Sequence, residues 1–176
     1  NGEKRFRRAT PRAGLTYTPW SALTLYANYG EGFRVPTTDE LFASGVGSSN
    51  ADLRPMKSQT YEAGLRARPL PWVEGRVAVF LTDVKDEIVF DPTVPPFGVN
   101  RNSPKSRRQG VEFETKVRPH EQVDILLNYT YTDAHFRAAA ALSTGTVDKG
   151  DKVPLVPMHR LNGAVRYRPL RGLELS

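Results

Sequence analysis

Apolar and polar residues alternate along most of this chain, and the alternating runs stop at evenly spaced prolines. Pro19, Pro69, Pro119 and Pro169 lie 50 residues apart. A period of two places every second side chain on one face of an extended strand. In the run from Ala22 to Phe33, Leu23, Leu25, Ala27 and Tyr29 oppose Thr24, Tyr26, Asn28 and Gly30. The same pattern predicts strands at Arg12 to Thr18, Ser58 to Arg68, Val73 to about Phe90, Arg108 to Arg118, Gln122 to about Thr132 and His159 to Arg168. Leu173 to Ser176 opens a further strand, giving seven full strands and the start of an eighth.

The joints between these strands are of two kinds. At each proline a new run begins within about four residues, so these joints are short turns. The other joints, Arg34 to Lys57, Asp91 to Arg107 and Asp133 to Met158, are long and rich in Gly, Ser, Asn, Asp and Pro. Short turns at one end and long loops at the other are the mark of a transmembrane β-barrel. Strand length agrees: these runs reach about 10 residues, enough to cross a bilayer at a tilt, where ordinary strands average about 5–6. Tyr17, Trp20, Trp72 and Tyr167 stand beside the short turns, where an interfacial aromatic girdle belongs. The opposite face carries Glu62, Arg66, Arg68, Glu112, Glu114, Lys116, Arg160 and Arg166. A soluble β-sandwich also has a polar outer face, so charge alone does not separate it from a barrel.

Composition narrows the reading. The chain has 176 residues, no cysteine and a formal charge of +6. That length suits one domain, and the missing thiols exclude disulfides and thiolate metal sites. No apolar run approaches the roughly 18 residues of a membrane helix. The first residues, Asn1 to Arg12, contain no apolar signal-peptide core.

Candidate chemistry is sparse. Asp83, Asp86, Glu87 and Asp91 form an acidic run whose spacing does not match a calcium loop, so a solvated loop is expected. His120, His135 and His159 are too scattered to share a metal. Gly30 and Gly32 do not make a dinucleotide fingerprint and serve instead to bend a strand. Thr37 to Phe42 reads as a short helical turn capped by Thr37 or Thr38. Ala138 to Ala141 reads as a scrap of helix or a loop tip. Arg101, Lys105, Arg107 and Arg108 form a basic cluster without the aromatic platforms or reading helix of a nucleic-acid binder. Such a cluster suits lipopolysaccharide phosphates outside a barrel, an anionic ligand at its mouth, or plain solvation.

Several motifs then carry a resemblance. Tyr29-Gly30-Glu31-Gly32-Phe33-Arg34-Val35-Pro36, followed by Asp39-Glu40-Leu41-Phe42, resembles a turn of the TonB-dependent outer-membrane receptors. Asn50-Ala51-Asp52-Leu53-Arg54-Pro55 with Thr60-Tyr61-Glu62-Ala63-Gly64 is similar to the family's next segment, with Ala51 for the usual proline and Met56 for the usual glutamate. Asn102 and Arg108 to Glu112 resemble its Gly-x-Glu strand start. Asn128 to Asp133, with Val153 to His159, resembles its strand and Pro-x-x-Pro-x-His return.

The resemblance implies an all-β, antiparallel transmembrane β-barrel segment, about seven or eight strands of a larger barrel. It would have short periplasmic turns and long extracellular loops, in the outer membrane of a Gram-negative bacterium. Residues 1–176 would form part of the barrel domain without its plug, and alone would leave two unpaired sheet edges. The implied function is TonB-dependent uptake of a nutrient, such as a ferric siderophore. TonB acting through the plug, the siderophore, and membrane lipid with lipopolysaccharide are the expected partners, and nucleic acid is not. No catalytic residue, cofactor or resident metal is expected. Tyr29, Arg34, Phe97, Arg101, Arg107 and His135 are the candidates for ligand contact. The competing readings are a small closed eight-strand barrel with an adhesive or structural role and a soluble β-domain.

Overall fold

The computed structural model describes residues 6–42, 50–91, 98–142, 145–170 and 173–175. The chain forms β1 (Arg12–Trp20), β2 (Leu23–Arg34), α1 (Thr38–Leu41), β3 (Met56–Leu70), β4 (Val73–Lys85), β5 (Ile88–Asp91) and β6 (Val99–Asn102). It continues through β7 (Ser106–His120), β8 (Val123–Phe136), β9 (Ala140–Leu142), β10 (Gly145–Val147), β11 (His159–Leu170) and β12 (Leu173–Leu175). Eight strands make one sheet in the order β1-β2-β3-β4-β7-β8-β11-β12, every pair antiparallel. Its outermost strands, β1 and β12, are not paired with each other among the described residues, which disfavours a closed eight-strand barrel. The small hairpins β5/β6 and β9/β10 rise from the second and third long loops.

One expectation is corrected and one alternative is decided. The fourth strand stops at Lys85 rather than running to Phe90, because Asp86 adopts a positive φ of 57° and turns the chain into β5. Of the two readings of the alanine stretch, the helical scrap is excluded, since Ala140–Leu142 pairs as a strand with Gly145–Val147 at the tip of the third loop.

The proline repeat has a structural cause. Register shifts between Tyr17 and Trp20, Ala67 and Leu70, Val117 and His120, and Tyr167 and Leu170. Each of the four prolines sits inside one of these bulges, where its missing N–H removes no ladder bond. The residue before it is anchored instead: the Arg68, Arg118 and Arg168 amides donate to the carbonyls of Ala22, Trp72 and Gln122 at 2.8, 2.7 and 2.8 Å.

Register sorts the side chains onto two faces. One cross-strand row contains Tyr17, Leu25, Leu65, Val77, Phe113, Tyr129 and Leu161, and the next contains Leu15, Ala27, Ala63, Val79, Val111 and Tyr131. These apolar side chains are widely exposed, Leu15 at 72% and Leu161 at 67%. An apolar face left uncovered across so many strands suits hydrocarbon and not water. Tyr17, Trp20, Trp72 and Tyr167 are exposed beside the short turns. Tyr29 and Tyr61, with rings 5.0 Å apart, and Tyr129 and Tyr131 beside His159 form a second border toward the long loops.

The other face is polar and holds together through two charge hubs. The Arg76 guanidinium donates to Glu62 at 2.8 Å, Glu112 at 3.1 Å, Glu114 at 3.0 Å and the Tyr26 hydroxyl at 2.7 Å. Nearer the short turns, the Asp124 carboxylate meets Arg118 at 2.7 Å, Arg168 at 3.0 Å and Lys116 at 3.9 Å. Two glycines make room on this face. A Cβ on Gly64 would lie 2.6 Å from the Tyr26 hydroxyl, and one on Gly110 would strike the Tyr131 carbonyl and lie 2.9 Å from the Phe80 ring.

Gly110→Val is expected to abolish assembly of the protein into its membrane, read as loss of the heat-modifiable band. Gly75→Ala, whose nearest neighbour would be the Glu114 carbonyl at 3.6 Å, should assemble as the parent does. Equal assembly of both variants would contradict the close approach at Gly110. Arg76→Met should lower stability by on the order of 2 kcal/mol, because it strands neighbouring carboxylates. Adding Glu62→Gln and Glu112→Gln should restore most of the unfolding midpoint, and no restoration would show that Arg76 matters only as packing.

Candidate ligand mouth and outer rim

The long loops fold over the polar face and bury it at their end of the sheet. Val84, Ser106, Ala134 and Phe136 lie on that face and are almost wholly covered, as are Leu41 and Leu53 of the first loop. Helix α1 begins with a reciprocal cap: the Glu40 amide donates to the Thr37 hydroxyl at 3.3 Å and the Thr37 amide to the Glu40 carboxylate at 2.8 Å. Arg34, the last residue of β2, grips the same carboxylate with contacts of 3.0 and 3.1 Å. The strand end thereby fixes the direction in which the loop leaves the wall.

The first and second loops are tied together most fully through Asn102. The Asn102 amide group donates to the Arg54 and Asp86 carbonyls at 2.8 and 2.9 Å, and its oxygen accepts from the Arg54 amide at 2.8 Å. Asn50 donates to the Asn100 carbonyl at 2.9 Å, and its side-chain oxygen accepts from the Asp52 amide at 3.0 Å. This tight turn plants Leu53, 1% exposed, beneath the mouth. The turn forms with Ala51 in place of proline because Asn50, not residue 51, supplies the bond that closes it.

The acidic run is ion-paired rather than simply solvated. Asp83 binds Arg107 at 2.7 Å, Asp86 binds Arg54 at 2.7 Å, Glu87 binds Arg108 at 2.9 Å and Asp91 lies 3.4 Å from Arg101. Among the described residues no cluster of His, Cys, Asp and Glu could hold a metal ion.

The structure does not gather the candidate ligand residues into one site. Arg34 points to the mouth but is engaged by Glu40. Arg101 stands in the β5/β6 hairpin beside Asp91. Tyr29, Arg107 and His135 share the parity of the lipid-facing rows and lie on the outer rim above them. Phe97 lies outside the described residues. On that rim Glu31 accepts from Arg8 and Tyr29, each at 2.8 Å, and from Gln59 at 3.3 Å. Arg8 foremost, then Tyr29 and Gln59, hold the Glu31 carboxyl down to about 2, and Arg107 lowers that of Asp83. His135 sits 3.4 Å from Asp133. The Arg76 hub, the Asn102 tie and the second tyrosine border escaped the sequence reading. Counting parity from Tyr29 through Tyr61 would have found the border, whereas the hub and the tie depend on which strands and loops are neighbours.

Comparison with known proteins agrees with this architecture. The ferrichrome outer membrane transporter/phage receptor of Escherichia coli is 30% identical over 178 residues, covering 97% of this chain and 21% of that protein. The vitamin B12 transporter BtuB of Vibrio vulnificus is 30% identical over 112 residues, covering 61% of this chain and 18% of the relative. The chain thus spans about a fifth of the length of these relatives. In fold it is similar to the siderophore receptor PirA from Pseudomonas aeruginosa, with a TM-score of 0.70 and 19% identity over 94% of this chain and 28% of that one. Residues 1–175 match the family described as TonB dependent receptor-like, beta-barrel, and the chain belongs to that family of Gram-negative outer-membrane receptors.

Proposed function

We propose that the chain is part of the wall of a larger, plugged outer-membrane barrel that takes up a ferric siderophore or a similar iron chelate with energy delivered by TonB. The observation that carries this reading is the covered mouth: two long loops cross-tied at Asn102 above a polar wall organised by Arg76. Such a wall suits a plug domain, because an internal domain that must later move is better seated on hydrogen bonds and ion pairs than on an apolar core. The relatives' names support nutrient uptake as the class, since they denote transporters for ferrichrome and for vitamin B12. Uptake of this kind consists of binding and a conformational step, with no bond made or broken in the cargo. In this reading the outer rim meets lipid and lipopolysaccharide.

A strain lacking the full-length protein that carries this chain should fail to grow when one ferric siderophore is the sole iron source. Loss of TonB should give the same defect. Normal growth on a broad siderophore panel, with failed growth on limiting cobalamin instead, would overturn iron as the cargo. Asn102→Ala should weaken binding of the identified siderophore about tenfold while leaving the heat-modifiable barrel intact, because it removes two of the hydrogen bonds that join the loops without touching the wall. Unchanged affinity would remove the tied mouth from the recognition surface.

A further inference from the structure

The basic cluster read from the sequence divides between the faces, and the division leaves a pattern that the uptake reading does not use. Arg108 is held by Glu87, Arg107 by Asp83, and Arg101 lies beside Asp91. Lys105 is different. Lys57 stands directly opposite Lys85 across β3 and β4. Val84 pairs with Ser106, and Ser106 with Phe136, so the adjoining residues Lys85, Lys105 and Arg137 continue the same cross-strand row. The Arg137 amide donates to the Lys105 carbonyl at 2.7 Å, which fixes that last step. Val84, Ser106 and Phe136 are buried under the loops on the polar face, so the row points the other way, outward from the barrel. The carboxyl of outward-facing Asp83 is lowered by Arg107 first and then by Lys105 and Arg137, so both cations lie near it.

Like charges directly opposite each other destabilise a sheet. Here four cations stand in succession, and among the described residues none of them is in an ion pair. The nearby carboxylates are already engaged, Glu31 by Arg8 and Asp83 by Arg107, with Asp133 beside His135. The row therefore lacks anions, and its position indicates where they come from. Lys57 lies four residues beyond Tyr61 of the outer aromatic border on the same strand. At about 3.3 Å per residue and a tilt near 40°, that is about 10 Å above the border, in the headgroup layer. Three interstrand steps of about 4.8 Å make the row about 14 Å long, enough for more than one phosphate. Lower on the wall and offset toward β1, on the lipid-facing side of β1 to β4, the small side chains Ala13, Ala27 and Ala63 leave a shallow concavity of about 620 Å³ bordered by Leu15, Tyr61 and Val79. Its lining suits an acyl chain.

We propose that Lys57, Lys85, Lys105 and Arg137 form a binding site for lipopolysaccharide, with the phosphates of its headgroup bridging the row and an acyl chain in the concavity below. The proposal rests on the membrane orientation given above and not on the identity of the cargo.

The test uses the full-length protein, purified in mild detergent, delipidated, and returned to nanodiscs containing a trace of labelled lipopolysaccharide in zwitterionic phospholipid. The parent protein should retain lipopolysaccharide, and K57Q/K85Q/K105Q/R137Q should lose at least tenfold in retention. Arg66→Gln with Arg160→Gln, which removes two cations from the polar face, should retain it as the parent does. A milder K57Q/K85Q variant guards against misassembly, and the heat-modifiable band reports whether each variant is folded. Undiminished retention by the folded four-site variant would overturn the site. Equal retention of a phospholipid with a single phosphate, or displacement by millimolar inorganic phosphate, would overturn lipopolysaccharide as its ligand. Siderophore uptake is measured on the same variants and should be unchanged, so that failure of the lipid site and failure of the uptake reading are told apart.

Discussion

In hydrocarbon, a peptide group finds its hydrogen-bond partner in the sheet or goes without one. That constraint shapes this chain more than any side chain does. It requires long strands with continuous ladders, and the sheet provides them: β3 and β7 run 15 residues each, and β2, β4, β8 and β11 run 12 to 14. It also restricts where a residue without an N–H can stand. Proline is placed at the short-turn ends, in bulges where the ladder is already broken, and the arginine before three of these prolines makes the bond that closes the gap.

With the backbone satisfied internally, the side chains are free to differ completely between faces. The lipid face is held by nothing within the chain and owes its composition to the solvent around it. The polar face must hold itself, and does so with two hubs of opposite sign. Arg76 draws carboxylates from β3 and β7 to β4, and Asp124 draws cations from β7 and β11 to β8. Each hub spans three adjacent strands, so charge resists shear where an apolar core is absent. The loops follow the same economy. Glu40 serves the cap of α1 and the end of β2 at once, and Asn102 serves two loops with one amide.

Much of the fold was legible because period-two alternation and turn length report local geometry. The succession of strands in the wall, both kinds of joint and the capped turn at Thr37 all came from neighbours in sequence. What failed was also local in origin. Asp86 takes a left-handed conformation that no residue rule demanded, so the fourth strand seemed longer than it is. Alanine-rich residues near position 140 have helical propensity, yet pairing with the segment from Gly145 overrides it. The candidate ligand residues were the least legible, because their value depends on parity. Arg107 and Arg108 are adjacent in sequence and face opposite sides of a membrane wall, which composition cannot show.

The recurrence of the bulged, proline-marked turn every 50 residues has a bearing on how such walls are inherited. Each interval holds one descending strand, one ascending strand and one long loop, and each begins and ends with the same parity. A gain or loss of a whole interval leaves every remaining residue on its proper side of the membrane. A gain of one residue within a strand reverses all that follow it up to the next bulge. Descent can therefore lengthen the wall by pairs of strands and rewrite the loops freely, while the interior of each strand can change only by substitution.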